Sequence, residues 1–332
     1  MLKDAILSVS PYLAIPLFLV GLFLIVKGGD MFVDSSTWIA EVSGIPKILV
    51  GATIVSFATT LPELLVSLIA AIGKDTSMAI GNAIGSVSAN LGLIFAILMI
   101  AAPGKTDRKG FLLKAVLMLS SALVLAAFGL YGKLTWVGSV LLIAIYVTFM
   151  FFNINDARKA MLEGKKLGEK EDRPKADKKS LTVNIIKFIA GAAMTAVGAI
   201  LLVDNGQIIA ADLLHIPVAI VSAIFVAIGT SLPELVTAIT AIAKKQGALS
   251  VGNIIGANII DLSVILPVCS LVGGGSVPFI AQNMYLDMPV CLLISAIILI
   301  PTLISQKIRR SQGIVALTVY TAYIVVMCTV FA

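Results

Sequence analysis

The chain has 332 residues, of which 59% are hydrophobic and 13% charged, with a formal net charge of +6, whereas a soluble domain is about half apolar and a quarter charged. That composition excludes a water-soluble globule. Three cysteines (Cys269, Cys291, Cys328) stand apart in apolar sequence and the one histidine, His215, sits at a segment end, so no disulfide framework or zinc site is readable.

A hydrocarbon layer ~30 Å thick takes about 20 helical residues to cross. Apolar segments of that order follow one another at 12–27, 46–73, 78–102, 111–130, 134–152, 182–203, 216–243, 247–272, 279–305 and 314–331. The first follows a barely charged start (Lys3, Asp4) with no small-residue cleavage site, so it is read as the first helix and not as a removable signal peptide. Several segments exceed the minimum, which predicts tilt, breaks or overhang. Between the fifth and sixth, "NINDARKAMLEGKKLGEKEDRPKADKKS" (153–180) reads as a solvated cytoplasmic linker, and its mixed charge is a connector's, not a calcium sensor's. The expected fold is therefore an all-α membrane protein of ten transmembrane helices, with residues 1–152 and 182–332 as two five-helix halves around a linker at 153–181. Lys and Arg flanking the spans are retained on the cytoplasmic side. With both termini outside, 21 of the 24 basic residues fall inside and only Lys3, Lys74 and Lys133 outside. Topology thus accounts for the positive charge without nucleic acid, and a prokaryotic cytoplasmic membrane is the expected location, with lipid as surroundings.

The halves are related. "VSFATTLPELL" (55–65) matches "VAIGTSLPELV" (226–236), and "GNAIGSVSANL" (81–91) matches "GNIIGANIIDL" (252–262), both at an offset of 171 residues. An odd number of spans per half makes the second copy enter the membrane from the opposite side. Such inverted repeats are an architecture of secondary transporters, with substrate held near the midplane where the copies meet.

Of the 18 acidic residues, only Glu63, Glu234 and Asp261 are read as lying inside apolar segments, away from loops and segment ends. A carboxylate at that depth costs ~2.5–3.5 kcal/mol even on the lenient insertion scale unless a partner meets it, and no cation in those spans is placed to do so. Pro62 and Pro233 lack an N–H and are expected to free the carbonyls of Ala58 and Gly229. Helical spacing puts Ser56, Thr59 and Glu63 on one face, with Ala227, Thr230 and Glu234 on its counterpart. The next spans add Asn82, Ser86 and Asn90 in one half and Asn253, Ala257 and Asp261 in the other. Gly81, Gly85, Gly252 and Gly256 are expected to let neighbouring helices approach closely. Oxygen ligands with two or three carboxylates and no Cys or His suit a hard cation such as calcium.

These motifs, "ATTLPEL" with "GNAIGSVSAN" and "IGTSLPEL" with "GNIIGANIID", resemble the paired alpha-repeats of the cation/calcium exchanger superfamily, specifically the prokaryotic sodium/calcium exchangers, over essentially the full chain. The resemblance implies a non-enzymatic antiporter with Ca2+ and Na+ as its transported partners and no cofactor. It implies that Glu63 and Glu234 bind calcium and contribute to sodium sites, with Thr59 and Thr230 joining the calcium site. Ser56, Thr60, Ser86 and Asn90, with Ala227, Ser231 and Asp261, match positions that line sodium sites or a central water site. Ala257 stands where many members have serine. Asp261 occupies a position that also carries Asp in potassium-dependent members, so potassium-dependent exchange is an alternative. Proton/calcium exchange is another, although the proton exchangers carry Glu after Gly-Asn-Ala where this chain has Ile84. An aspartyl intramembrane protease needs two facing aspartates and a Gly-x-Gly-Asp motif, which the sequence lacks.

Overall fold

The computed structural model describes residues 11–73, 76–105, 108–166, 177–209 and 231–330. They are mostly helical. Among them, eight helices are long and apolar enough to cross a membrane, or nine when a pair bent by 40° is taken as one span.

The first helix, α1 (Ala14–Ser43), runs well past the predicted end at residue 27 and carries Lys27, Asp30 and Asp34 with it. It stops at Gly44, whose left-handed φ of 67° is a conformation that glycine adopts without steric cost. The second segment is split into α2 (Lys47–Thr59) and α3 (Leu61–Ile72), bent by 40° at Thr60. There follow α4 (Thr76–Ala101), α5 (Arg108–Leu130), α6 (Trp136–Lys166) and α7 (Lys178–Ile208). The second half continues with α8 (Leu232–Ala243), α9 (Gly247–Val272), α10 (Asn283–Ser305) and α11 (Arg310–Val330). The first part of the predicted seventh span, 216–230, lies outside the described residues. The stretch read as a linker begins inside α6, which stays helical to Lys166.

The 171-residue offset found in the sequence recurs in the backbone. Helix α3 and helix α8 are its images end for end, and so are the first parts of α4 (Thr76–Ala89) and α9 (Gly247–Ile260). Each of those first parts passes into a wide π-helical turn, at Asn90–Phe95 and Asp261–Ile265, and the turns start at equivalent residues. Such turns cost hydrogen-bond geometry and are concentrated at functional sites.

Two helix contacts form through glycine. Helices α1 and α7 cross antiparallel: a Cβ at Gly21 would stand 2.9 Å from the Gly198 carbonyl, and one at Gly28 would stand 2.8 Å from that of Gly191. A shift of 170 residues exchanges these two pairs. Helices α2 and α9 also touch backbone to backbone, with Gly252 against the Ile48 carbonyl, Gly51 against that of Leu249, and Gly256 against Ala52 and Ser56. The matching approach expected of Gly81 and Gly85 is not seen among the described residues. Its partner by the repeat would be 219–227, outside them.

Two short antiparallel ladders join loops of opposite halves. β1 (Gly104–Lys105) pairs with β4 (Lys307–Ile308), and β2 (Lys133–Thr135) with β3 (Ser276–Pro278). The largest buried cluster lies beneath them, where α4, α5, α9, α10 and α11 pack around Phe95, Met118, Leu262 and Ile298.

Candidate ion-binding site

Pro62 does not kink a helix in mid-course as expected. Thr60 (φ −85°, ψ 0°) interrupts the chain, and Ser231 (φ −84°, ψ 6°), just before α8, has nearly the same conformation. Pro62 and Pro233 follow as second residues of new helices, in a first turn where a missing N–H has no helical partner to lose. The Ala58 carbonyl, expected to lose its partner in mid-helix, falls instead in the last turn before the interruption, where Pro62 still offers it no N–H. Gly229 lies outside the described residues. As a consequence, Glu63 and Glu234 each stand in the first turn of a helix, where the partial positive charge of unpaired N–H groups favours a carboxylate.

Glu63, Glu234 and Asp261 are each at most 1% exposed. None of their six carboxylate oxygens accepts a hydrogen bond, and among the described residues no Lys, Arg or His forms an ion pair with them. The Thr59 and Thr60 hydroxyls lie beside the Glu234 carboxylate but donate elsewhere. Thr60 donates to the Ser56 carbonyl at 2.6 Å, and the single hydroxyl proton of Thr59 is shared between that carbonyl, at 3.3 Å, and Asn253 Oδ1, at 3.2 Å. Ser56, Ser86, Asn90 and Ser231 are buried too, with Ser231 Oγ and Asn90 Oδ1 unbonded.

The charge of Glu63 acts against those of Glu234 and Asp261. Even so, no three Asp, Glu, His or Cys side chains among the described residues converge as a ligand set for one ion. The three carboxylates therefore do not gather into one ligand set among the described residues. Thr230 and Ala227, the other predicted site positions, lie outside the described residues.

Ser67, Thr237 and Asn258, which hold this arrangement together with the predicted asparagines, are not among the residues that the sequence singles out. Asn82 donates to Ser67 at 2.9 Å and to the Glu63 carbonyl at 3.3 Å. Its repeat image Asn253 donates to Thr237 at 3.2 Å, and Thr237 in turn bonds the Glu234 carbonyl at 3.0 Å. Each asparagine thus fastens the helix next to it at the turn that carries a glutamate. Asn253 Oδ1 also accepts from Thr59 at 3.2 Å, linking the two halves. Asn90 donates to Asn258 at 3.0 Å. Buried, hydroxyl-bearing residues within a turn of each glutamate were the available signal.

Just past the end of α8, Lys244 bridges Asp34 and Asp30 at 2.9 and 3.2 Å, tying α8 to α1. Partial burial pulls its ammonium down, but hydrogen bonds and charge from Asp34 and Asp30 win and hold it above its ordinary value.

A helix broken at Thr60 that carries a buried carboxylate in the first turn past the break, within an apolar bundle, is a feature of secondary transporters. The sequence profile described as "Sodium/calcium exchanger protein" matches residues 13–155 and 183–329. The chain is 31% identical over 343 residues to the sodium/calcium exchanger MaX1 of Methanosarcina acetivorans, covering 94% of this chain and 97% of that one. It is also 31% identical over 286 residues to the inner membrane protein YrbG of Escherichia coli, covering 86% and 87%. Its fold matches the solved structure of the sodium-calcium exchanger NCX_Mj soaked with Na+ and Sr2+, with a TM-score of 0.79 and 28% identity over 95% of this chain and 99% of that one. The chain belongs to the sodium/calcium exchanger family and is an integral membrane protein.

Proposed function

We propose that the protein exchanges Ca2+ for Na+ by alternating access to a midplane site built on Glu63 and Glu234, with no enzymatic activity. The observation that carries this reading is the set of buried carboxylate oxygens without a donor. A buried polar group left without a partner costs ~1–3 kcal/mol, and more when charged, and a hard cation removes that cost with the ligand type it prefers. Thr59 and Ser56 supply neutral oxygens from the first half, and Ser231 and, by its motif, Thr230 from the second. Thr60, Ser86, Asn90, Ala227 and Asp261 line the flanking sodium or water positions. Because both ions compete for the same oxygens, one leaves as the other binds, and an empty site is disfavoured by its own unpaired charge. That competition couples the fluxes.

Ten spans in two inverted halves, as the sequence predicts, fit this reading. The antiparallel crossing of α1 with α7 supports the inversion: the 170-residue shift makes each the image of the other, so equivalent helices run in opposite directions. The ladders support the assignment of sides, because each joins loops on one face, inner for β1–β4 and outer for β2–β3. Both termini are then outside in a cytoplasmic membrane. The α1–α7 pair is the moving body. An apolar lateral cavity of about 830 Å³, lined by Phe57, Pro62, Tyr146, Phe188 and Ala196 among others, separates α7 from α2, α3 and α6. Where α1 meets α8, Gly29 packs against Val236 and Thr240, and beside that packing the ion pair of Lys244 is a surface pair of a kind worth only ~0–1 kcal/mol.

The reading is tested with purified protein in liposomes. Calcium uptake is expected with internal sodium and absent from choline-loaded liposomes with an outward proton gradient. Uptake driven by the proton gradient alone overturns sodium coupling. Glu163→Gln, in the charged last turn of α6, is expected to transport normally.

A further inference from the structure

A fourth carboxylate is buried in the bundle, away from the site. Asp287, on the π-helical first turn of α10, is 2% exposed. Its Oδ2 accepts from Asn283 Nδ2 at 2.9 Å and its Oδ1 from the Tyr323 hydroxyl at 2.9 Å, while Gln282 lies beside it. Neutral donors of this kind hold an anion, yet no cation among the described residues pairs with it. The titratable groups that face it are Tyr323, Tyr320 beyond that on α11, and Cys291 on α10 itself. Asn283, Asp287, Cys291 and Ser295 recur every four residues along one buried face of α10, a polar stripe spanning roughly 18 Å at 1.5 Å per residue. At its outer end, Ala281 and Tyr285 are exposed. Farther in, the Cys291 thiol lies beside Ser88 and Ser295 and feels the charges of both Asp287 and Asp261. Asp287 therefore stands between the outer surface and the carboxylate cluster.

We infer that Asp287 is a proton-binding site reached from the outer end of α10, and that its charge tunes the cation affinity of the central site. This rests on the ion-site reading above. As an anion in a low-dielectric interior, it adds to the negative potential that attracts Ca2+ and Na+. When external water donates a proton to Oδ2, that contribution vanishes and affinity falls. Asp287 makes no contact with the proposed ligands, so it is a positioning residue acting through the field.

The test is sodium-driven calcium exchange in proteoliposomes at fixed internal pH, measuring the half-saturating external calcium concentration across external pH. In the wild type this concentration is expected to rise as external pH falls. In Asp287→Asn it is expected to be raised about three- to tenfold already at neutral pH, as for loss of one nearby charge, and to change less with acidification, while Asp287→Glu restores the wild-type profile. If Asp287→Asn lowers only the maximal rate and keeps the wild-type profile, Asp287 is structural and the inference fails while the exchanger reading stands. No sodium-driven uptake by the wild type sinks the exchanger reading itself. Should Asp287→Asn not fold, Tyr323→Phe serves instead: with one donor to the anion removed, the acid rise is expected to begin at higher pH, and an unmoved profile overturns the inference.

Discussion

Glu234→Gln is expected to abolish sodium-driven calcium uptake, by at least ~100-fold, since removing one partner of a buried charge pair costs ~3–5 kcal/mol and each ~1.4 kcal/mol is tenfold. The same substitution is expected to leave the protein folded, and more heat-stable when ions are absent. The reason is that the Glu234 oxygens accept no hydrogen bond whose loss would orphan a donor, while neutralising an unpaired buried carboxylate relieves its desolvation. Thermal unfolding checks this: the wild type should gain stability on adding Ca2+ or Na+, because a ligand that binds only the folded state stabilises it, and Glu234→Gln should not respond to Ca2+. Glu63→Gln should behave likewise. Normal transport by either variant would remove the glutamates from the site.

Gly252→Leu is expected to have the largest effect on the fold. A Cβ there would collide with the Ile48 carbonyl and approach the Ala52 nitrogen at 3.0 Å, both of them backbone atoms. Neither can rotate away as a side chain can, so α2 and α9 must separate, at no less than the ~1–3 kcal/mol usual for overpacking. The same separation would move Ser56 and Asn253, so transport should fail even in molecules that still fold. Gly247→Ala, whose Cβ would meet nothing within 4 Å, is the control. Comparing melting temperatures in detergent decides the matter, and an unaffected Gly252→Leu protein would refute the close crossing.

The site's skeleton was legible because burying charge is costly: a Glu without a cation in an apolar run must meet something, and a repeated one marks a shared cause. The 171-residue spacing recurs in helix ends, π turns and even the dihedral angles of Thr60 and Ser231. What the sequence hid was directional. Pro62 has the same composition signal whether it kinks a helix or begins one, and only the turn at Thr60 shows that it begins one. Ser67 and Thr237 lie four and three residues after their glutamates, a slip of one that a strict repeat match passes over. Asn258 corresponds to Val87, so symmetry gave no hint of it. Asp287 lies eight residues into the segment that starts at 279, near enough to its end to pass for an interfacial charge. The polar spacing from Asn283 to Ser295 was the signal that it faces inward.

The ladders bear on assembly as well. Each staples a strand of the first half to one of the second, β1 to β4 and β2 to β3, while Gly51 and Gly252 interlock α2 with α9 across the same divide. The covalent link between α6 and α7 is therefore redundant for cohesion. Two polypeptides cut between residues 167 and 176 and made together should reassemble into a working exchanger, whereas neither fragment alone closes a core.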